Sequence, residues 1–133
     1  MTEVLFSEPG VCSGRWDEQL EAVVVEWHGD VGGDTYREWM NRTLDAIAAH
    51  DATKLLTDSR SQGLMDEADQ IWTVEDWEPQ AIDAGLEYVA VIYPAARSAK
   101  TTVDMSARRR PHTDLERAFT DSSEEAHNWL KTK

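Results

Sequence analysis

The chain has 133 residues, is 41% hydrophobic, and carries 26 acidic against 13 basic residues for a formal net charge of -13; this is the size of one domain with one core and excludes global disorder. So strong an acidic excess repels phosphate backbones and anionic headgroups, which argues against generic nucleic-acid or membrane-surface binding. The single cysteine, Cys12, excludes an internal disulfide and any multi-thiolate metal site, and no apolar run approaches transmembrane length.

Val4 to Phe6 is a short apolar patch stopped by Pro9-Gly10, either an edge strand or a loosely tied terminus. Val11 to Asp17 and Leu20 to His28 read as a hairpin turned by Asp17-Glu18-Gln19, the second strand carrying the β-branched run Val23-Val24-Val25. Trp16 and Trp27 then stand on neighbouring strands as packing aromatics, and Cys12 is a small buried side chain rather than a reactive thiol. The glycine-rich break from Gly29 to Asp34 precedes a helix for which Asp34 is the expected cap. Tyr36, Trp39, Met40, Thr43, Leu44, Ile47 and Ala48 form its buried stripe, while Glu38 and Arg42 stand four apart on the solvated face.

Lys54 to Trp77 is the organising stretch. Leu55-Leu56 lead to Asp58, Ser59 to Gly63 are expected to form a polar loop, and a helix opens near Asp66 with Glu67 and Asp69 in its first turn, where carboxylates favour the positive end of the dipole. Ala68, Ile71 and Trp72 are its expected inner face. Pro79 must interrupt or kink it, leaving a second helical piece from Asp76 to Ala84 that ends at Gly85, with Trp72 and Trp77 flanking the kink. Tyr88 to Tyr93 is apolar throughout, as an interior strand is. Ala95 to Met105 has a weak helical pattern, and Asp114 to Thr120 reads as either strand or loop. Asp121-Ser122-Ser123-Glu124-Glu125 is a capping signal, with a Ser cap and an acidic first turn, for a C-terminal helix through Ala126, Trp129 and Leu130.

This order resembles the STAS fold of anti-sigma factor antagonists and of sulphate-transporter cytoplasmic domains, and is most similar to the small stand-alone antagonist-like (STAS/SEC14-like) group. The matching residues are Leu55-Leu56-Thr57-Asp58-Ser59-Arg60, Asp69-Gln70-Ile71-Trp72, Trp77-Glu78-Pro79-Gln80-Ala81, Ala84-Gly85-Leu86, Val89-Ala90-Val91-Ile92-Tyr93-Pro94 and Ser122 to Leu130. The resemblance implies an α/β fold: a single STAS-like domain over residues 1–133, core roughly 11–131, with a mixed β-sheet and helices packed mainly on one face. Each matching motif is a packing or turn pattern, not a reaction signature. In true antagonists an Asp-Ser pair opens the helix and the Ser is the phosphorylation switch. With Asp58 and Asp66 on the two acidic positions, Glu67 stands where that Ser belongs.

The sequence therefore points to a non-enzymatic regulatory or protein-interaction module, with Asp58, Ser59, Arg60, Asp66, Glu67, Trp72 and Trp77 as candidate ligand or partner contacts. Two alternatives stay open: a carrier of a small apolar or lipid-like ligand near Trp72 and Trp77, and an enzyme using Asp58 and Asp66 as an acid-base pair. No cofactor and no metal are expected, since His28, His50, His112 and His127 are scattered singly and the Gly63 loop lacks a phosphate-cradling pattern. The one basic cluster, Arg108-Arg109-Arg110 with His112, reads as a solvated loop or as a dock for an acidic partner or phosphate. Without a leader pattern the protein is expected in the cytoplasm, and a homodimer is left open. Arg outnumbers Lys nine to four, a lysine-poor acidic balance that fits a salt-adapted protein, with a merely acidic mesophilic one as the alternative.

Overall fold

The computed structural model describes residues 2–29, 31–62, 66–92 and 115–133. Six strands form one sheet in the order β1 (Thr2–Glu8), β2 (Cys12–Asp17), β3 (Ala22–Gly29), β4 (Lys54–Gln62), β5 (Tyr88–Ile92), β6 (Glu116–Thr120). The first two pairings are antiparallel and the last three parallel, so the sheet is mixed. Among the described residues the helical segments are α1 (Gly33–Ala49), α2 (Glu67–Trp72), α3 (Glu78–Asp83) and α4 (Ser123–Lys131), with a π turn over Thr73–Trp77 joining α2 to α3. The weak helical pattern over 95–105 and the Arg108-Arg109-Arg110 cluster lie outside the described residues.

Strand alternation sorts the core into two layers. Val23, Val25 and Trp27 of β3 and Leu55 of β4 pack with Tyr36, Trp39, Ile47, Trp77 and Ala81 from α1, the π turn and α3. Ala22, Val24, Leu56, Ala90 and Ile92 face the other way, onto Ala126 and Leu130 of α4. Among the described residues, three helical segments thus cover one face and α4 the other, as the mixed-sheet α/β expectation requires.

The patch at Val4 to Phe6 is part of a full edge strand, although Val4 is 73% exposed. What holds that strand is Phe6 lying on Gly14 of β2, where a Cβ would stand 2.3 Å from the Phe6 ring. The hairpin turn is built as its sequence suggests: Asp17 Oδ1 accepts from the backbone N–H of Gln19 and of Leu20 at 3.0 and 3.1 Å. Leu20 falls in that turn rather than in β3, yet is buried in the α4 layer.

Three expectations need correction. Asp34 does not cap α1: the N-cap is Gly32, with Asp34 inside the first turn. The inner stripe of α1 includes Ala46, and Ala48 is exposed. The inner face of α2 is not Ala68, Ile71 and Trp72. Ala68 is exposed, Ile71 and Trp72 are half-buried, and the buried positions are Asp69, Gln70, Thr73, Trp77 and Glu78. The π turn rotates the helix by one residue just before Pro79. A proline here lacks its own N–H and crowds the preceding turn, so the wider loop, in which Glu78 N–H donates to Thr73 O, absorbs the interruption without a break in the chain's direction. The C-terminal helix begins as read, with Ser122 Oγ accepting from Glu125 N–H at 3.2 Å.

Trp77 is 3% exposed and its indole N–H donates to Met40 O at 2.7 Å, so it is core and not a pocket wall. Trp77→Ala is expected to cost about 3–5 kcal/mol in chemical denaturation, and Trp72→Ala clearly less. Equal denaturation midpoints for the two variants would refute this packing.

Candidate functional site

Two groups of polar side chains gather near the C-terminal ends of β3 and β4, and the sheet separates them. β4 does not end at Asp58: it continues through Gln62, so Ser59 to Gln62 are strand rather than loop. Their pairing with β3 slips by one residue between Glu26/His28, placing an extra β4 residue opposite Trp27. Such a bulge bends a strand and re-aims its side chains.

At the bulge, Arg60 closes back on Asp58. Its Nε donates to Oδ1 at 2.9 Å, its Nη2 to Oδ2 at 2.6 Å, and its backbone N–H to Oδ1 at 3.1 Å. Arg15 of β2 pairs with Glu26 of β3 at 3.2 Å in the same neighbourhood. Glu26, Trp27, His28, Asp58 and Arg60 line an open concavity of about 290 Å³. Burial alone would push the Asp58 carboxyl up. The hydrogen bonds and charge of Arg60, with a smaller pull from Arg15, outweigh it and hold Asp58 below the usual carboxylate range. Ser59 beside it is 4% exposed.

The second group joins α1 to α2 on the opposite face. Asp69 Oδ2 accepts the N–H of Gly33 at 2.9 Å, which supplies from another helix the cap that Gly32, without a side chain, cannot give α1. Arg37 lies 3.7 Å from the other Asp69 oxygen. Thr73 Oγ1 donates to Asp69 O at 2.8 Å, which leaves Tyr36 O–H to donate to Thr73 Oγ1 at 2.8 Å. This joint sets the start of α2, where Asp66 is the N-cap residue and both Asp66 and Glu67 are exposed.

The candidate residues therefore separate. Asp58 shares the α4-facing side with Leu56, whereas Asp66 stands beside Gly32 on the α1 side, so the two carboxylates do not form an acid-base pair. Trp72 is half-buried, edge-on to Tyr36 at 6.1 Å and capped by the Arg37 guanidinium at 5.4 Å. Neither it nor the buried Trp77 lines the concavity beside Asp58. Asp69 and Thr73, which no reading of candidate residues singled out, make the joint. A further concavity is an open groove of about 590 Å³ between β1 and α1, lined by Leu5, Phe6, Val11 and Trp39 with Glu8, Glu38 and Arg42. Cys12 packs among the same core residues, its thiol pushed up to about 11 by burial and by Glu8, as an inert thiol should be. Among the described residues no cluster of three or more His, Cys, Asp or Glu could hold a metal ion, and no helix is long and apolar enough to cross a membrane.

No family model matches the chain, and no curated protein does. Solved structures do. An anti-sigma factor antagonist from Mycobacterium paratuberculosis superposes with a TM-score of 0.57 at 9% identity, covering 95% of this chain and 99% of its own. The anti-sigma factor antagonist SpoIIAA in its unphosphorylated form gives 0.52 at 10%, over 94% and 92%. A DUF3478-family protein with a SpoIIAA-like fold from Shewanella loihica gives 0.51 at 14%, over 98% and 92%. The fold is STAS-like.

The Asp58–Arg60 pair carries a pH prediction. Because the folded carboxyl lies below its unfolded value of about 3.9, its contribution is present above that pH and is lost as pH falls through the folded value. Arg60→Met removes the guanidinium's hydrogen bonds and charge and leaves only the residue-60 backbone N–H and Arg15 to oppose burial, so the Asp58 carboxyl should titrate at higher pH and acid unfolding should begin earlier. An Asp58 titration by NMR that is unchanged in Arg60→Met would contradict the pairing.

Proposed function

We propose that the protein is a non-enzymatic regulatory module that binds a protein partner through the acidic start of α2. The observation that carries this reading is the exposed Asp66-Glu67 pair at the opening of that helix, held in place by the Asp69–Gly33 joint. The structural likeness to anti-sigma factor antagonists supports a regulatory role. Asp58 is a poor general base, since its carboxylate is already committed to Arg60. In a phosphorylation switch a hydroxyl at the helix start gains about two negative charges. Glu67 has no hydroxyl to accept a phosphate, so the start of α2 is not switched in this way. Ser59, buried in β4, is not an accessible alternative acceptor.

A second reading, carriage of a small apolar ligand, is supported away from the tryptophans of the kink, by the β1–α1 groove where Phe6 and Trp39 meet at 5.3 Å. Native mass spectrometry of protein purified from its own host separates the two, since a carrier retains a bound small molecule.

A photo-crosslinking residue at the exposed Ala68 position, used in the native host, is expected to trap one protein partner. Glu67→Lys should abolish the cross-link, and site mapping should find no phosphate on Ser59 or Ser61. Undiminished cross-linking of Glu67→Lys would sink the assignment of this surface. Phosphate on Ser61 whose removal changes partner capture would show that a switch operates from β4 instead.

A further inference from the structure

We propose that Tyr88, Glu116 and Trp129 form a binding site for an alkylammonium group, occupied in this chain by the ammonium of Lys133. Tyr88 and Glu116 are register partners on β5 and β6, and Trp129 lies in the last turn of α4, which is anchored over that part of the sheet by the buried Ala126 and Leu130. The two rings meet at 79° with centroids 6.3 Å apart, making a corner with two aromatic walls. Lys133 Nζ stands over both, 5.1 Å from the Trp129 centroid and 5.8 Å from that of Tyr88, and 2.8 Å from Glu116 Oε2. Two π faces and one carboxylate around one nitrogen are the elements by which aromatic cages hold ammonium groups.

The present occupant is a weak one on chemical grounds. A primary ammonium is compact and strongly hydrated, and Lys133 must fix a long, rotamer-rich side chain to reach the corner. A methylated ammonium is larger and less hydrated, so it gives up less water and covers more of both rings. The chain's net charge of -13 adds a general attraction for cations. Both rings are half-buried, so the corner is already partly shielded from water. The site lies on the α4 side of the sheet and does not depend on the partner surface at α2.

The test uses Lys133→Ala, which empties the corner by changing an exposed residue, with choline as the cation and 3,3-dimethylbutanol as its uncharged isostere, at constant ionic strength. Side-chain NMR signals of Trp129 and Tyr88 should shift saturably with choline, with an affinity about fivefold or more above that for the alcohol. The native chain should bind choline more weakly than Lys133→Ala, because its own ammonium competes, and Glu116→Gln in the Lys133→Ala background should weaken binding severalfold. A trimethyllysine tripeptide forms the second arm: tighter binding than choline assigns the ligand to a protein partner, weaker binding to a free small molecule. No saturable shift in Lys133→Ala, equal affinity for the alcohol, or an unchanged affinity in Glu116→Gln would overturn the proposal.

Discussion

The contact on which the start of both α1 and α2 depends is the one between the Asp69 carboxylate and the Gly33 N–H, 2.9 Å long and 36 residues apart in sequence. The first amides of a helix have no partner within it, and α1 begins at two glycines that cannot supply one. Asp69 does so from the first turn of α2, where a carboxylate also sits favourably against the positive end of its own helix. One buried side chain thus serves two helix starts. Gly32 is part of the arrangement, since a Cβ there would stand 3.0 Å from Asp69 Oδ2 and force the carboxylate back.

From that joint the rest of the α1 side follows. Tyr36 on Thr73 and Trp77 on Met40 O repeat the pattern, each joining α1 to the segment from α2 through the π turn by one hydrogen bond from an otherwise apolar ring. Farther on, Glu78 of α3 meets Arg117 of β6 in a buried ion pair that ties the helical layer to the far edge of the sheet. Removing one member of such a pair leaves a buried charge behind, so the two are expected to be needed together. The exposed acids at the start of α2 are therefore presented from a layer fixed at several points.

Much of this was legible in the sequence. The β-branched run at Val23 to Val25, the apolar stretch from Tyr88 and the Ser-capped C-terminal helix each combine a local pattern with a local physical cause, and each stands in the structure as read; the α1 stripe does so apart from the exchange of Ala46 for Ala48. The inner face of α2 was not legible, because Asp69, Thr73 and Trp77 recur every four residues as a mostly polar stripe, and a search for apolar periodicity passes over buried polar groups whose partners lie on another helix. The extension of β4 through Ser59 to Gln62 was hidden for a related reason: its polar residues are held in strand by backbone pairing with β3, which no side-chain pattern announces. That Asp58 and Asp66 lie on opposite sides of the sheet depends on which face each helix covers, and alternation within one strand does not carry that information.

Hydrogen exchange on Asp69→Ala tests the helix joint most directly, under conditions where the variant remains folded. We expect the amides of Gly33 to Tyr36 and of 67–77 to exchange faster together, while those of β3, β4 and β5 keep their protection, because the lost bond is shared by the two helix starts and not by the sheet. Unchanged exchange at both helix starts, or acceleration spread evenly over helices and sheet, would contradict the role given to Asp69.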